Sequence, residues 1–155
     1  MTDQTNEPEV TAAAVDLDGD GTVDAVTFTE TMGKDVDGDG FDDVVTETTT
    51  TLIDVDGDGT VDVVSTTETT VYDEDGDGSV DVITEVRTTA IDLDGDGSPD
   101  VVDRVTTTAV DLDGDGTFDV VHQVTETGVD VDGDGTIDEV TITETVDEVD
   151  DDASA

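Results

Sequence analysis

The stretch Asp-Val-Asp-Gly-Asp-Gly-Thr-Val-Asp at residues 54–62 sets carboxylates at the first, third, fifth and ninth positions of one short loop, with glycine at the fourth and sixth. Carboxylates at alternate positions of a tightly curved backbone converge on one point, and glycine relieves crowding where the chain bends. Convergent oxygens of this kind suit a hard divalent cation. Ca²⁺ takes six to eight of them at about 2.3–2.6 Å, whereas Mg²⁺ prefers to keep water in a strict octahedron. Zn²⁺ would want His or Cys, and the chain has one His and no Cys. A trivalent lanthanide would also suit an all-oxygen site this acidic.

The loop recurs without insertion or deletion. It begins at Asp16, Asp35, Asp54, Asp73, Asp92, Asp111 and Asp130, a step of 19 residues each time. The expected metal ligands are therefore Asp16, Asp18, Asp20 and Asp24 in the first repeat, and Asp35, Asp37, Asp39 and Asp43 in the second. Asp54, Asp56, Asp58 and Asp62 serve the third, and Asp73, Asp75, Asp77 and Asp81 the fourth. Asp92, Asp94, Asp96 and Asp100 follow, then Asp111, Asp113, Asp115 and Asp119, and last Asp130, Asp132, Asp134 and Asp138. Backbone carbonyls are expected from the seventh position: Thr22, Phe41, Thr60, Ser79, Ser98, Thr117 and Thr136. One Asp-Gly-rich turn alone would leave room for a solvated surface turn as the lesser reading. Seven turns that all keep four Asp and two Gly favour ligation, with about seven Ca²⁺ bound.

An EF-hand loop has its sharp turn where Gly59 stands, but it closes on a bidentate Glu at position 12. That column here reads Thr27, Thr46, Ser65, Thr84, Asp103, His122 and Thr141. No repeat has room for flanking helices either. With only two Met in the chain, no Met-rich amphipathic segment marks a calcium sensor.

The elements that position the loops follow from the other columns. Position 2 is Leu or Val except at Glu74, and position 11 is always Val or Ile. Position 19 is usually apolar, as in Ile53, Tyr72, Ile91, Val110 and Val129. Between them run Thr-rich segments such as residues 46–51 and 65–70. Val, Ile and Thr favour strands, and no helical period survives the Gly-Asp-Gly interruptions. The chain is expected to be all-β. One architecture is a β-solenoid of seven 19-residue coils with the loops in a single row. The alternative is an antiparallel meander of eight strands joined by calcium hairpin loops. The solenoid is favoured, because a meander strand such as residues 63–73 places Thr and Glu where a covering core would lie. Residues 1–10 read as a polar leader, 11–148 as a single repeat domain and 149–155 as an acidic tail. Leader and tail are expected to be poorly ordered.

Composition narrows the function. The formal charge is −43, from 46 Asp and Glu against three Lys and Arg, and aromatic residues make up 3%. Such a chain has little apolar surface to offset ordering entropy and self-repulsion, so cations must help it fold. Phosphate backbones and anionic membrane surfaces would repel it. No stretch approaches the roughly 18 apolar residues of a membrane span. The first ten residues have neither the basic nor the apolar region of a secretory signal peptide. Enzymatic activity has no support: His122, the only histidine, sits in a column otherwise filled mainly by Thr, and Lys34, Arg87 and Arg104 read as local counter-charges.

Residues 109–121, Ala-Val-Asp-Leu-Asp-Gly-Asp-Gly-Thr-Phe-Asp-Val-Val, resemble the calcium loops of FG-GAP/VCBS-type repeats. They are also similar to the loops of thrombospondin type 3 repeats and dockerins. The resemblance implies calcium ligation and a strand–loop–strand hairpin. FG-GAP blades are much longer than this repeat, dockerins carry helices, and thrombospondin repeats usually carry cysteines. The period is similar to that of calcium-dependent β-rolls of the RTX adhesin kind, although their Gly-Gly-x-Gly-x-Asp signature is missing here.

The function expected is a calcium-binding structural or interaction repeat protein, a spacer or adhesive module of a cell surface or matrix that folds on binding metal. Without a position-12 Glu, site affinities should resemble those of extracellular modules, on the order of 10⁻⁴–10⁻³ M. That favours an extracellular setting; the cytoplasm of a high-salt organism is the alternative. Competing readings are a calcium buffer, a subunit of a calcium-dependent filament or other homo-oligomer, and an ice-binding solenoid presenting Thr arrays.

Overall fold

The computed structural model describes residues 7–148, which form strands and loops and no helix. The strands are β1 (Glu9–Val15), β2 (Ala25–Lys34), β3 (Val44–Ile53), β4 (Val63–Tyr72), β5 (Val82–Ile91), β6 (Val101–Val110), β7 (Val120–Val129) and β8 (Glu139–Glu148). They make one open sheet in the order β1-β2-β3-β4-β5-β6-β7-β8. Every neighbouring pair is antiparallel. This arrangement fits the meander, with successive Asp-rich loops at alternating ends of the sheet. β1 starts at Glu9, inside the expected leader. Residues 1–6 and the acidic tail lie outside the described residues.

The sheet carries no second layer over it. Among the described residues only one hydrophobic side chain, Ala109, is buried. The Thr and Glu segments that argued against a meander therefore cover no core; they form the middle of a sheet that meets solvent on both faces. Side chains alternate between the faces along each strand, and partners across the ladder share a face. Hydroxyls meet there in pairs: Thr27 with Thr51 at 3.0 Å, Thr29 with Thr49 at 3.1 Å and Thr46 with Thr70 at 3.1 Å. Each such pair contributes roughly 0.2–1 kcal/mol. Glu47 and Glu85 both face Thr69 on the strand between them, so no like charges stand directly opposite there.

The apolar columns collect instead along the two loop-bearing margins. One row runs Ile53, Val63, Ile91, Val101 and Val129, and on the same face at the opposite margin lie Val45, Val71, Ile83, Ala109 and Val121. Loop side chains lean over these margins. Ile137 lies so close above Gly128 that a Cβ there would stand 3.0 Å from its Cγ2, and Asp42 covers Gly33 more tightly still. Two thin apolar margins, each next to a row of carboxylates, replace a single core.

Candidate metal centres

The backbone makes each loop before any ion is considered. The glycines at positions 4 and 6 all have positive φ, from 70° at Gly133 to 100° at Gly40. Side chains other than glycine are disfavoured there. The turn they create points two amides at the first carboxylate. In the third loop Gly57 N donates to Asp54 Oδ1 at 2.7 Å and Gly59 N to Asp54 Oδ2 at 2.8 Å. The same pair of bonds recurs in all seven loops, at 2.6–2.8 Å and 2.8–3.0 Å.

The other Asp positions are fixed as regularly. The ninth residue reaches back across the loop: Asp62 Oδ2 accepts from Val55 N at 2.6 Å, and its own amide donates to Ile53 O at 2.9 Å. The fifth accepts from the amide of the seventh, as Thr60 N donates to Asp58 Oδ1 at 2.8 Å. Thr60 adds its hydroxyl to the same oxygen. The third accepts from the fifth, as Asp58 N donates to Asp56 Oδ1 at 3.1 Å. A carboxylate has about four lone-pair sites, so these bonds orient it and leave acceptor capacity for a cation.

The oriented carboxylates converge. Oxygens of Asp16, Asp18 and Asp24 lie within 4.8 Å of one another, and so do those of Asp35, Asp37 and Asp39. Asp54 with Asp56 and Asp58, Asp73 with Asp75 and Asp81, and Asp92 with Asp94 and Asp96 form like groups, and there are two more. The position-7 residues Thr22, Phe41, Thr60, Ser79, Ser98, Thr117 and Thr136 sit in the same turns, each with its amide held at 2.7–2.9 Å by the fifth carboxylate. Each cluster offers a divalent or trivalent cation an oxygen-only shell with no nitrogen or sulfur donor, the chemistry of a hard-ion site.

No protein-family model, curated protein or solved structure matches this chain. The case for a metal site therefore rests on the loops themselves.

One feature of the sites has no signature within a single repeat. From the third loop onward, the first-position amide donates to the ninth-position carbonyl of the loop before last. Asp54 N meets Asp24 O at 2.8 Å, Asp92 N meets Asp62 O at 2.9 Å and Asp130 N meets Asp100 O at 2.8 Å along one margin. Asp73 N with Asp43 O and Asp111 N with Asp81 O, both at 2.9 Å, do the same along the other. Loops two strands apart, about 9.5 Å by the usual strand spacing, are thus joined through ligand-bearing residues. The even 19-residue step was the available signal, since equal strand lengths bring alternate loops level.

Charge pairs elsewhere are few. Arg104 pairs with Glu126 at 3.2 Å across β6 and β7, and His122 Nε2 lies 2.8 Å from Glu144 on β8. No described helix is long and apolar enough to cross a membrane.

Hydrogen bonding lowers the pKa of three of these carboxyls. The Thr22 hydroxyl and amide hold the Asp20 carboxyl below its ordinary value of 3.8, and Thr60 does the same for Asp58. At Asp130 burial pushes the carboxyl up, but amides of Gly135, Gly133, Asp134 and Asp132 outweigh it and the result is again a lowered value. A carboxylate whose folded pKa is depressed stabilises the fold above its unfolded pKa, and that contribution disappears as pH falls through the folded value. The contribution of these three carboxylates should accordingly be present above pH 3.8 and be lost as pH falls from there through their lowered folded values. Amide chemical shifts of Thr22 and Thr60, which donate to Asp20 and Asp58, followed from pH 6 to pH 2 at saturating calcium check this; shifts that move first above pH 5 would contradict it.

Proposed function

We propose that this chain is a calcium-binding structural or interaction repeat protein, an antiparallel meander in which each of seven hairpin loops holds one Ca²⁺. The observation that carries the reading is the convergence of at least three carboxylates within 4.8 Å in seven separate groups. Clusters so close repel one another strongly unless a cation enters, and seven Ca²⁺ would bring the formal charge from −43 to −29. The metal holds the loops, and the loops hold the sheet's margins together, so binding free energy becomes folding free energy. A single sheet of repeated units with sites along both margins suits a spacer or adhesive module rather than a switch.

The setting proposed is extracellular, at a cell surface or in a matrix. Sites built without a position-12 Glu belong with modules whose dissociation constants are on the order of 10⁻⁴–10⁻³ M, which fill at extracellular calcium concentrations. Equilibrium dialysis against millimolar calcium, with bound metal measured by atomic emission, is expected to give about seven ions per chain. A result of one ion or none would reject the reading, and tight filling at submicromolar calcium would favour a buffer instead.

A further inference from the structure

The two outer strands differ in a way that decides how the sheet meets another copy of itself. Neither β1 nor β8 has a strand on its outer side among the described residues, and both are exposed along their whole lengths. Such unpaired amides and carbonyls are templates for strand addition. β8 departs from the repeat at three columns. Position 10 is Ala or Val in the first six repeats and Glu139 in the last; position 18 is uncharged in the first six and then Asp147. Position 19, Lys34 in the first repeat and apolar from Ile53 to Val129, becomes the acidic Glu148.

Continuing the observed registers by one more step places the β1 strand of a second copy beside β8. The seven strand pairs are related by a constant shift, so the eighth pairing is fixed. It sets Val140 opposite Ala14 of the added copy, Ile142 opposite Ala12 and Thr143 opposite Thr11. These positions are uncharged, and antiparallel order is kept because the strand number is even. The loop hydrogen-bond series also has open ends that this step would join, with Asp138 O as the next acceptor and Asp16 N as the next donor along that margin. At the far end the same register sets Asp147 opposite Glu7 and diagonal to Glu9. All three are exposed carboxylates on one face.

We infer that β8 is a charge-guarded growing edge: a second copy of this chain adds its β1 strand to β8 in the repeat's own register, and Glu139, Asp147 and Glu148 hold that addition off. Like charges directly opposite destabilise a ladder, and charged residues on edge strands are a known means of blocking sheet extension. A head-to-tail contact of this kind does not close on itself, so release of the guard yields an open polymer rather than a dimer. The inference rests on strand order and register and not on the metal reading, which circular dichroism and bound-metal measurements on the same samples report separately.

The test compares the natural chain with Glu139→Val/Asp147→Val/Glu148→Ile, which restores the repeat's own residues, and with the shape-preserving Asp147→Asn/Glu148→Gln. Multi-angle light scattering at about 50 µM protein and saturating calcium should give a monomer for the natural chain. The triple variant should grow at least tenfold in mass, and the double variant should associate to a smaller extent. The chain contains no cysteine, so register can be read by oxidation. In the triple variant, Thr11→Cys with Thr143→Cys should form a ladder of disulfide-linked oligomers. Val10→Cys with Thr143→Cys, one residue out and on the other face, should not. Monomeric variants that keep the β-sheet circular dichroism would overturn the proposal, as would equal cross-linking of both cysteine pairs or a natural chain that polymerises as readily.

Discussion

Removing calcium with excess chelator is expected to abolish most of the β-sheet circular dichroism of this protein, and returning the metal to restore it. Ordinary domains offset the entropy of ordering the chain by burying apolar surface, at roughly 25 cal/mol per Å². Here Ala109 is the one buried hydrophobic side chain among the described residues, and Leu17, Leu93 and Leu112 each remain about 70% exposed. Hairpin turns and Thr pairs remain to hold a chain of formal charge −43. Self-repulsion on that scale opposes any compact state. Sodium chloride should replace calcium poorly. Salt screens charges separated by more than about 8 Å at physiological ionic strength, whereas the clustered carboxylates lie within 4.8 Å. A sheet that persists in excess chelator at low salt would disprove metal-dependent folding.

The second large effect is local in origin and extended in consequence. Asp92→Ala removes the acceptor of two amides, Gly95 N and Gly97 N, each at 2.8 Å. It also removes one member of the Asp92, Asp94 and Asp96 group. Both glycines are exposed, so water can take up their amides, and losing the two bonds should cost about 1 kcal/mol, while bound calcium should fall by at least one ion per chain. The fifth loop is joined to its neighbours on both sides, through Asp92 N to Asp62 O and through Asp100 O to Asp130 N. Loss of order there should therefore weaken the third and seventh sites as well. Asp16→Ala, in the first loop of the same margin, has a neighbour on one side only and should cost less. Urea melts of both variants at fixed calcium, together with metal stoichiometry, check the ranking. Equal effects would show that the loops act independently.

The loops were legible because each ligand set is a local feature. Carboxylates two residues apart and glycines at positive φ lie within nine residues, so their convergence follows from backbone geometry alone. In Asp54 to Asp62 the hydrogen bonds keep to the same spacing. The strand content was legible for a similar reason, since runs such as Val63–Tyr72 are rich in β-branched residues. The solenoid is favoured only if a layer covers the sheet, since Thr66 to Thr70 could not lie beneath one. A sheet exposed on both faces accepts Thr and Glu in its middle, and the antiparallel pairing that results fits the alternative.

By itself the sequence determined the unit: a nine-residue acidic loop joined to a ten-residue strand, seven times over, with no room for helices and no residues for a large core. Tertiary structure alone decided which units are neighbours. Because consecutive strands fold back antiparallel, the loops divide between two margins, and from the third onward each touches the loop two repeats before it through the amide of its first Asp. The same order leaves β1 and β8 as the outer strands, and so gives Glu139, Asp147 and Glu148 a meaning that their columns alone do not carry. The physical reason is range. Ligand geometry and strand propensity act within a few residues, whereas strand order depends on which distant backbone groups find each other, and a repeat that is the same everywhere holds no local mark of its partner.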